Sequence, residues 1–316
     1  MVTPTAAPDP ASALRPTADA RRPRRGFGFA GATVLALTAC GPGTGSPEEQ
    51  EGGRTLEDAT GEVEVPERAE RIVALDSLVI DTCVALGAPL VGAAEAGSVS
   101  TLPAYLGEGV EGVETVGNIA EPNIEAIGAL EPDLILGTEL RHEDLHEQLS
   151  AMAATFFVAE PAIGWQDNVL AIGRALGQDD RAEEVLGSLL AEAADAGQEV
   201  GAEGTTVHVL RHVDNGVRLH GPDTFSGSLL REMGFSVPDM DWDDNDMAEL
   251  SFENLDRIDA DVVFVTDDTD LDDELLSGVP AVAEGNAYGV DDRTWISGIG
   301  VVGAGHIIAD VRGFLA

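Results

Sequence analysis

Residues 161–201 read PAIGWQDNVLAIGRALGQDDRAEEVLGSLLAEAADAGQEVG and separate two halves of the chain that share one pattern. Apolar residues recur in this stretch at the three- and four-residue spacing of an amphipathic helix. Gly177 is a typical residue for ending a helix, and Asp180 followed by Glu183 has the spacing of a capping box. The stretch therefore predicts two helices in tandem, with Asp180 as N-cap of the second, and we refer to it as the helical linker.

Short apolar runs alternate with helical patterns on both sides of the helical linker. Such alternation is typical of parallel sheets covered by helices on both faces. It predicts an α/β fold with two Rossmann-like lobes, each with a central parallel sheet, joined by a long helical backbone. The predicted organisation is an export signal over residues 1–39, a flexible tether over 40–55, an N-terminal α/β lobe over 56–160, the helical linker over 161–201 and a C-terminal α/β lobe over 202–316.

The two halves correspond to each other in sequence. Residues 124–136 match residues 252–264 at a constant offset of 128, without a gap. Glu125 and Glu253 fall in the first turn of a predicted helix, where an acid interacts favourably with the helix dipole. The correspondence also puts one carboxylate at the equivalent corner of each lobe, where a two-lobed partner could contact both.

The N-terminal residues have the pattern of an export signal. Five arginines precede an apolar run over residues 27–39, which is shorter than the about 20 residues that a membrane-spanning helix needs. The run ends in Leu37-Thr38-Ala39-Cys40-Gly41, which resembles a bacterial lipobox. That resemblance implies lipidation at Cys40 and a protein anchored by lipid to the outer face of the bacterial cytoplasmic membrane. Cys83 is then the one remaining cysteine, and its apolar neighbours predict a buried structural thiol.

The chain is strongly acidic. It has 58 acidic residues against 17 arginines and no lysine, for a net charge of −41. Removing residues 1–39 takes away five arginines and two acids, which leaves 12 arginines against 56 acids. Such a surface repels nucleic acid and suits solution at high salt, where self-repulsion is screened.

Several segments together resemble the substrate-binding proteins of iron–siderophore and vitamin B12 ABC importers. They are RIVAL at 71–75, VGNIAEPNIEAI at 116–127, EPDLI at 131–135, RLHGPDTFSG at 218–227 and VDDRTW at 290–295. The resemblance implies a monomeric receptor, with no enzymatic activity and no cofactor, that captures a ferric siderophore between its lobes. It also implies delivery to an ABC permease dimer with its ATPase, with Glu125 and Glu253 as the docking residues.

The same resemblance implies that loops at the strand ends bind the ligand. Arg211, His212 and Arg218 lie on one predicted hairpin, and strand alternation puts some of them on the same face. Arg211 is the leading candidate, because it can donate hydrogen bonds to the oxygen atoms around an iron centre. The full set of candidate ligand-binding residues is Arg211, Arg218, His220, Trp242, Arg293 and Trp295. The acidic surface disfavours a strongly anionic catecholate chelate, so a hydroxamate siderophore is favoured.

Other functions have weaker support in the sequence. His142 and His146 are four residues apart on a predicted helix over 142–152, a spacing that could place both imidazoles on one zinc or manganese ion. A cobalamin or haem receptor of the same fold is a further alternative. The segment GIGVVG at 298–303 fits the dinucleotide fingerprint, but too few residues follow it for the about 30-residue unit that this site needs. A lipid-anchored adhesion or scaffold protein would explain the anchor but not two matched lobes.

Overall fold

A computed structural model describes residues 52–96, 102–266 and 276–316. The predicted export signal, Cys40 and most of the predicted tether lie outside these ranges. Within them, no helix is both long enough and apolar enough to cross a membrane.

The first half forms a mostly parallel sheet that follows a short antiparallel hairpin. The hairpin consists of β1 (Gly53–Asp58) and β2 (Gly61–Pro66). The strands of the sheet are β3 (Ile72–Ala74), β4 (Leu90–Glu95), β5 (Glu114–Asn118), β6 (Glu121–Pro122), β7 (Leu134–Thr138) and β8 (Ala154–Val158). Their order is β6-β5-β4-β3-β7-β8, and every neighbouring pair is parallel except β5 with β6.

The second half forms a mixed sheet. Its strands are β9 (Val207–Val213), β10 (Gly216–His220), β11 (Met247–Ser251), β12 (Val262–Thr266) and β13 (Ala287–Val290), in the order β11-β10-β9-β12-β13. The strands β9, β12 and β13 run parallel, whereas β10 is antiparallel to both of its neighbours. The predicted hairpin is confirmed, and it is the reason that this sheet is not purely parallel.

Helices cover both sheets. They are α1 (Ser77–Leu86), α2 (Ile124–Ala129), α3 (Glu139–His142), α4 (His146–Ser150), α5 (Trp165–Ala175), α6 (Asp179–Val200), α7 (Phe225–Glu232), α8 (Pro280–Glu284), α9 (Asp292–Trp295) and α10 (Val301–Leu315). Turns of 3₁₀ helix occupy Ala104–Val110, Glu143–Leu145 and Phe252–Arg257.

The helical linker consists of the two predicted helices, α5 and α6. Gly177 follows the end of α5 with a φ of +68°, a left-handed conformation that glycine adopts without strain. The predicted cap is wrong, because α6 already begins at Asp179 and its N-cap is Gln178, whose side chain makes no capping hydrogen bond. Acids in the first turn still interact favourably with the N-terminus of the helix dipole.

Both halves contribute buried side chains to one hydrophobic core. The helices α1, α5, α6 and α10 pack against one another, and α1 from the first half contacts α10 from the second. The same cluster of buried side chains includes Ile72 and Leu136 from the first sheet and Val209 and Phe264 from the second. Trp165 on α5 is completely buried, and its indole Nε1 donates to Ser228 Oγ on α7 at 3.0 Å.

The internal correspondence holds in three dimensions. The strands β7 and β12 begin and end at residues that are 128 positions apart. Asp133 accepts hydrogen bonds from the backbone N–H groups of Glu70 and Arg71 at 2.7 and 3.0 Å, at the start of β3. Asp261 accepts one from the N–H of Thr206 at 2.8 Å, at the start of β9. Each aspartate therefore fixes the beginning of the parallel strand beside its own.

Two further local predictions differ from the structure. The strand β1 begins at Gly53, so residues 53–55 of the predicted tether are part of a hairpin. The predicted helix over residues 142–152 is interrupted by the 3₁₀ turn Glu143–Leu145, so His142 ends α3 and His146 begins α4.

Candidate ligand-binding site

A row of polar residues crosses the second sheet where its parallel strands end. Thr266, Arg211, Arg218 and Glu249 are successive cross-strand partners on β12, β9, β10 and β11. Cross-strand partners point to the same face of a sheet. We call these four residues the strand-end row. The carboxyl ends of parallel strands are the usual ligand-binding edge of α/β folds.

The next row on the same face belongs to the core. Two residues before Arg211, Val209 is buried and pairs with Phe264 on β12 and with His220 on β10. The face is thus apolar in its interior and becomes polar at the strand-end row. The sequence predicts this change only partly, because the strand β11 and its Glu249 give no clear strand pattern.

Arg211 forms an ion pair with Asp292 on α9. Its Nε lies 3.0 Å from Asp292 Oδ1, and its Nη2 lies 3.4 Å from Oδ2, so the guanidinium engages both oxygen atoms of the carboxylate. The side chains are 35% and 14% exposed, respectively. Two-point contacts of this kind fix the orientation of an arginine as well as its charge.

Arg218 forms a different pair, with Glu249 on β11. Its Nε and Nη2 both donate to a single oxygen, Glu249 Oε1, at 3.0 and 2.5 Å. The glutamate side chain is 60% exposed. Arg211 and Arg218 themselves are like charges at directly opposed positions, which is unfavourable in a sheet unless nearby acids offset the repulsion.

His220 lies one row deeper than the two arginines. It is buried, and its Nε2 has no hydrogen-bond partner among the described residues. Burial, together with the positive charges of Arg211 and Arg218, lowers the pKa of His220 to about 4. The imidazole is therefore neutral at neutral pH and places one unpaired ring nitrogen behind the arginines.

Two other predicted residues, both tryptophans, do not join this group. Trp295 is completely buried, its indole Nε1 donates to Asp310 Oδ2 at 2.9 Å, and its ring packs on Phe264. Trp242 packs near His208, which alternation puts on the opposite face of the sheet from Arg211. The candidate ligand-binding residues Trp295 and Trp242 therefore lie apart from the strand-end row, Trp295 in the core and Trp242 on the other side of the sheet, and a role for Trp242 in binding stays a prediction.

Arg293 and His212 flank the site rather than complete it. Arg293 is exposed and directly follows Asp292, the partner of Arg211. His212 is exposed and lies on the opposite face from Arg211, where its ring contacts Phe252. The hairpin therefore brings Arg211 and Arg218 together and separates them from His212.

The first sheet also carries an arginine at its strand ends, which the sequence analysis missed. Arg141, three residues after β7, forms an ion pair with Asp76. Asp76 is the buried N-cap of α1 and lies two residues after the strand β3. The arginine side chain is 39% exposed. The signal that could have found it is its place just after a predicted strand in a chain with few arginines.

The alternative metal site is not formed. His142 is buried, its Nε2 lies 2.9 Å from the carbonyl oxygen of Ile119, and its Nδ1 accepts from the N–H of Thr138 at 3.1 Å. His146 points instead to Thr60 Oγ1, 3.3 Å away. Both ring nitrogens of His142 therefore have hydrogen-bond partners in the protein backbone. The described residues contain no cluster of three or more possible metal ligands.

The glycine-rich segment at 298–303 has a structural explanation. Asp81 on α1 accepts hydrogen bonds from the N–H groups of Val302 and Gly303, at 2.8 and 2.9 Å, at the N-terminus of α10. Gly300 has a φ of +141°, and a Cβ atom there would lie 2.4 Å from the Asp81 side chain. A carboxylate of this chain thus occupies the position that a pyrophosphate takes in dinucleotide-binding folds.

Glu125 and Glu253 are both exposed at equivalent positions. Glu125 is the second residue of α2, and Glu253 is the second residue of the 3₁₀ turn Phe252–Arg257. The two segments differ in geometry, because the second turn is kinked at Asn254. Their role in docking stays a prediction.

The sequence profile of the periplasmic binding protein family matches residues 72–294. The chain belongs to this family. It is 30% identical, over 304 residues, to the probable siderophore-binding lipoprotein YfiY of Bacillus subtilis, covering 88% of this chain and 94% of that protein. It is 27% identical, over 265 residues, to the Fe(3+)-citrate-binding protein YfmC of the same organism, covering 80% of this chain and 82% of that one.

The fold also occurs in a solved structure. The crystal structure of Staphylococcus aureus SirA complexed with staphyloferrin B superimposes with a TM-score of 0.71 at 24% identity, covering 83% of this chain and 98% of that one. The expected α/β architecture with a long helical connection between two sheets is therefore confirmed.

Proposed function

We propose that this protein is the substrate-binding component of an ABC importer and that it captures a ferric siderophore at the strand ends of its sheets. The observation that carries the proposal is the opposed pair of Arg211 and Arg218. Two guanidinium groups side by side are unfavourable by themselves, so an anionic ligand that contacts both would relieve their repulsion. The names of YfiY and YfmC, which refer to a siderophore and to ferric citrate, support the same class of ligand.

The chemistry of the strand-end row restricts the kinds of ferric chelate that can bind. Arginines hydrogen-bond well to the charged oxygen atoms of carboxylate or hydroxamate groups around an iron centre. The preference for a hydroxamate comes from the acidic surface of the chain and stays a prediction. Ferric citrate is the alternative that the arginine pair and the relative YfmC support. The neutral imidazole of His220 would lie behind the chelate, able to donate or accept one hydrogen bond.

Delivery to the importer would use the outer surface of the protein. Glu125 and Glu253 are exposed carboxylates at equivalent positions of the two halves and would pair with arginines of the permease dimer. Contacts between such charges set orientation and association rate more than affinity. Lipidation at Cys40 would keep a monomeric receptor at the outer face of the cytoplasmic membrane, close to the permease.

Titration of the intrinsic tryptophan fluorescence with ferric chelates tests the proposal. Saturable quenching is expected with ferric citrate or a ferric hydroxamate, and not with cobalamin, haem or Zn²⁺. Trp242 is half-buried, whereas Trp165 and Trp295 are buried in the core. Saturable binding of Zn²⁺, cobalamin or haem, with no response to either ferric chelate, would contradict the proposal.

A further inference from the structure

The two acids beside the arginine pair are held in different ways. Asp292 is largely buried and accepts hydrogen bonds from Arg211 and from the hydroxyl of Ser297, whose Oγ lies 2.9 Å from Asp292 Oδ2. The hydroxyl of Thr266 also approaches Asp292 Oδ1, at 3.5 Å. Glu249 uses one oxygen atom, for Arg218, and its side chain is mostly exposed.

We propose that the ligand displaces Glu249 from Arg218, whereas Asp292 stays in place and positions Arg211 for the ligand. Glu249 is then an internal competitor for anionic ligands, and Asp292 is a positioning residue. The inference rests on the proposed function, because it requires a ligand with anionic oxygen atoms.

Asp292 has the contacts of a fixed support. Its two oxygen atoms engage two nitrogen atoms of Arg211, and its position at the start of α9 is set by the N-cap Asp291. Displacing it would separate a largely buried carboxylate from a charged partner and from hydroxyl donors, which is costly. The Arg211 side chain remains 35% exposed in this arrangement, so it is partly accessible while the carboxylate holds it.

Glu249 has the contacts of a group that is easily released. It lies on the edge strand β11, and an exposed ion pair of this kind contributes little net stability. When it moves away, its carboxylate is solvated, and Arg218 is left opposite Arg211 with less compensation. A chelate that contacts both arginines restores that compensation, so the exchange of Glu249 for ligand is close to balanced.

Simple electrostatics makes a different prediction. Both acids lie near a site for an anion, so neutralising either one should strengthen anion binding. The proposal requires that the two substitutions change the affinity in opposite directions. Glu249→Gln should bind the anionic chelate more tightly, because a competitor is removed, whereas Asp292→Asn should bind it more weakly, because Arg211 loses its orientation.

Isothermal titration calorimetry of the full mature chain measures these changes in affinity. The probes are ferric citrate and, as a hydroxamate, the ferric complex of desferrioxamine. For whichever chelate the unchanged protein binds, Glu249→Gln should lower Kd about two- to fivefold, and Asp292→Asn should raise it about tenfold. Glu192→Gln, which removes the same charge from an exposed pair with Arg312, should leave Kd unchanged. Ser297→Ala, a milder change, should weaken binding in the same direction as Asp292→Asn and covers the case in which that variant does not fold.

A measurement without ligand separates positioning from a merely structural role. The Nε–H proton of Arg211 should exchange with water more slowly than that of Arg218 in nitrogen-15 NMR spectra, and Ser297→Ala should speed the exchange at Arg211 alone. Equal exchange rates, tighter binding by Asp292→Asn, or weaker binding by Glu249→Gln would each overturn the inference while leaving the proposed function intact. No binding of either chelate by the unchanged protein would overturn the proposed function, and this inference with it.

Discussion

At the scale of single residues, two histidines are buried on opposite faces of the second sheet. His208 has no hydrogen-bond partner for either ring nitrogen among the described residues, and burial lowers its pKa to about 4. The pKa of His220 is lowered to the same value by burial and by two arginines. His220 has a place in the proposed site, whereas His208 packs near Trp242 in the core of the opposite face.

His208 should make the fold sensitive to acid. Between about pH 6.5 and 4 the unfolded chain protonates this histidine and the folded chain does not, so stability falls as the pH falls through that window. His208→Leu should reduce the pH dependence of the unfolding free energy there by up to about 1.4 kcal/mol per pH unit. Urea unfolding at a series of pH values measures this, with His212→Gln, at an exposed position of the same strand, as the control. Parallel pH profiles for His208→Leu and the unchanged protein would contradict the expectation.

At the scale of secondary-structure elements, α1 and α10 are joined by one buried carboxylate. Asp81 on α1 accepts from two N–H groups at the N-terminus of α10, and the positive φ of Gly300 allows the close approach. These helices come from opposite halves of the chain and share one core. The contact therefore resists movement of one half against the other, in addition to the helical linker.

Asp81→Ala should destabilise the fold, because it leaves N–H groups without an acceptor, by about 1–3 kcal/mol. Burial raises the pKa of Asp81 to about 7, so its contribution to stability is complete below about pH 4 and is lost as the pH rises through 7. The difference in unfolding free energy between Asp81→Ala and the unchanged protein should therefore be larger at pH 5 than at pH 8.

Two variants control for this effect. Gly300→Ala, whose added methyl group would collide with Asp81, should destabilise the fold in the same way. Asp195→Ala, at an exposed position of α6, should have little effect. A loss of stability by Asp81→Ala that is equal at both pH values, or none at all, would refute the role of this carboxylate.

Much of this element arrangement follows from sequence pattern. The tandem helices, the hairpin and the 128-residue correspondence were predictable, because helical periodicity, a turn sequence and a repeated segment are local signals. The capping box at Asp180 was wrong, because the helix gains one more residue, Asp179, at its start. The burial of Trp295 and the pairs formed by Asp292 and Glu249 depend on contacts between distant segments, which single-sequence patterns do not report.

At the scale of the whole molecule, two similar halves present equivalent exposed carboxylates, Glu125 and Glu253. The halves share a continuous core, so the separation between these two residues should change little when a ligand binds. A nearly fixed separation suits a partner that contacts both residues at the same time. This expectation applies to the proposed docking on a permease dimer.

Changing both Glu125 and Glu253 to Ala should reduce uptake of the ferric chelate by cells and leave the affinity of the isolated protein unchanged. Loss of a favourable interaction with the helix dipole costs each half about 1 kcal/mol at most, which is too little to remove the protein from cells. Uptake of radioactive iron at matched protein abundance measures the effect, with exposed Glu147 and Asp195 changed to Ala as the control pair. Normal uptake by the double variant would end the docking proposal.

The proposed function depends above all on contact between Arg211 and the captured ferric chelate. The most direct measurement compares the affinity of Arg211→Ala with those of the unchanged protein and of Arg231→Ala, which loses an exposed ion pair with Asp223 in the same half. Arg211→Ala should weaken binding by about 1.5–3 kcal/mol, the range for a hydrogen bond to a charged partner, while Arg231→Ala binds normally and both variants stay folded. An affinity of Arg211→Ala equal to that of the unchanged protein would contradict the claim and leave Arg211 and Asp292 as an ordinary ion pair.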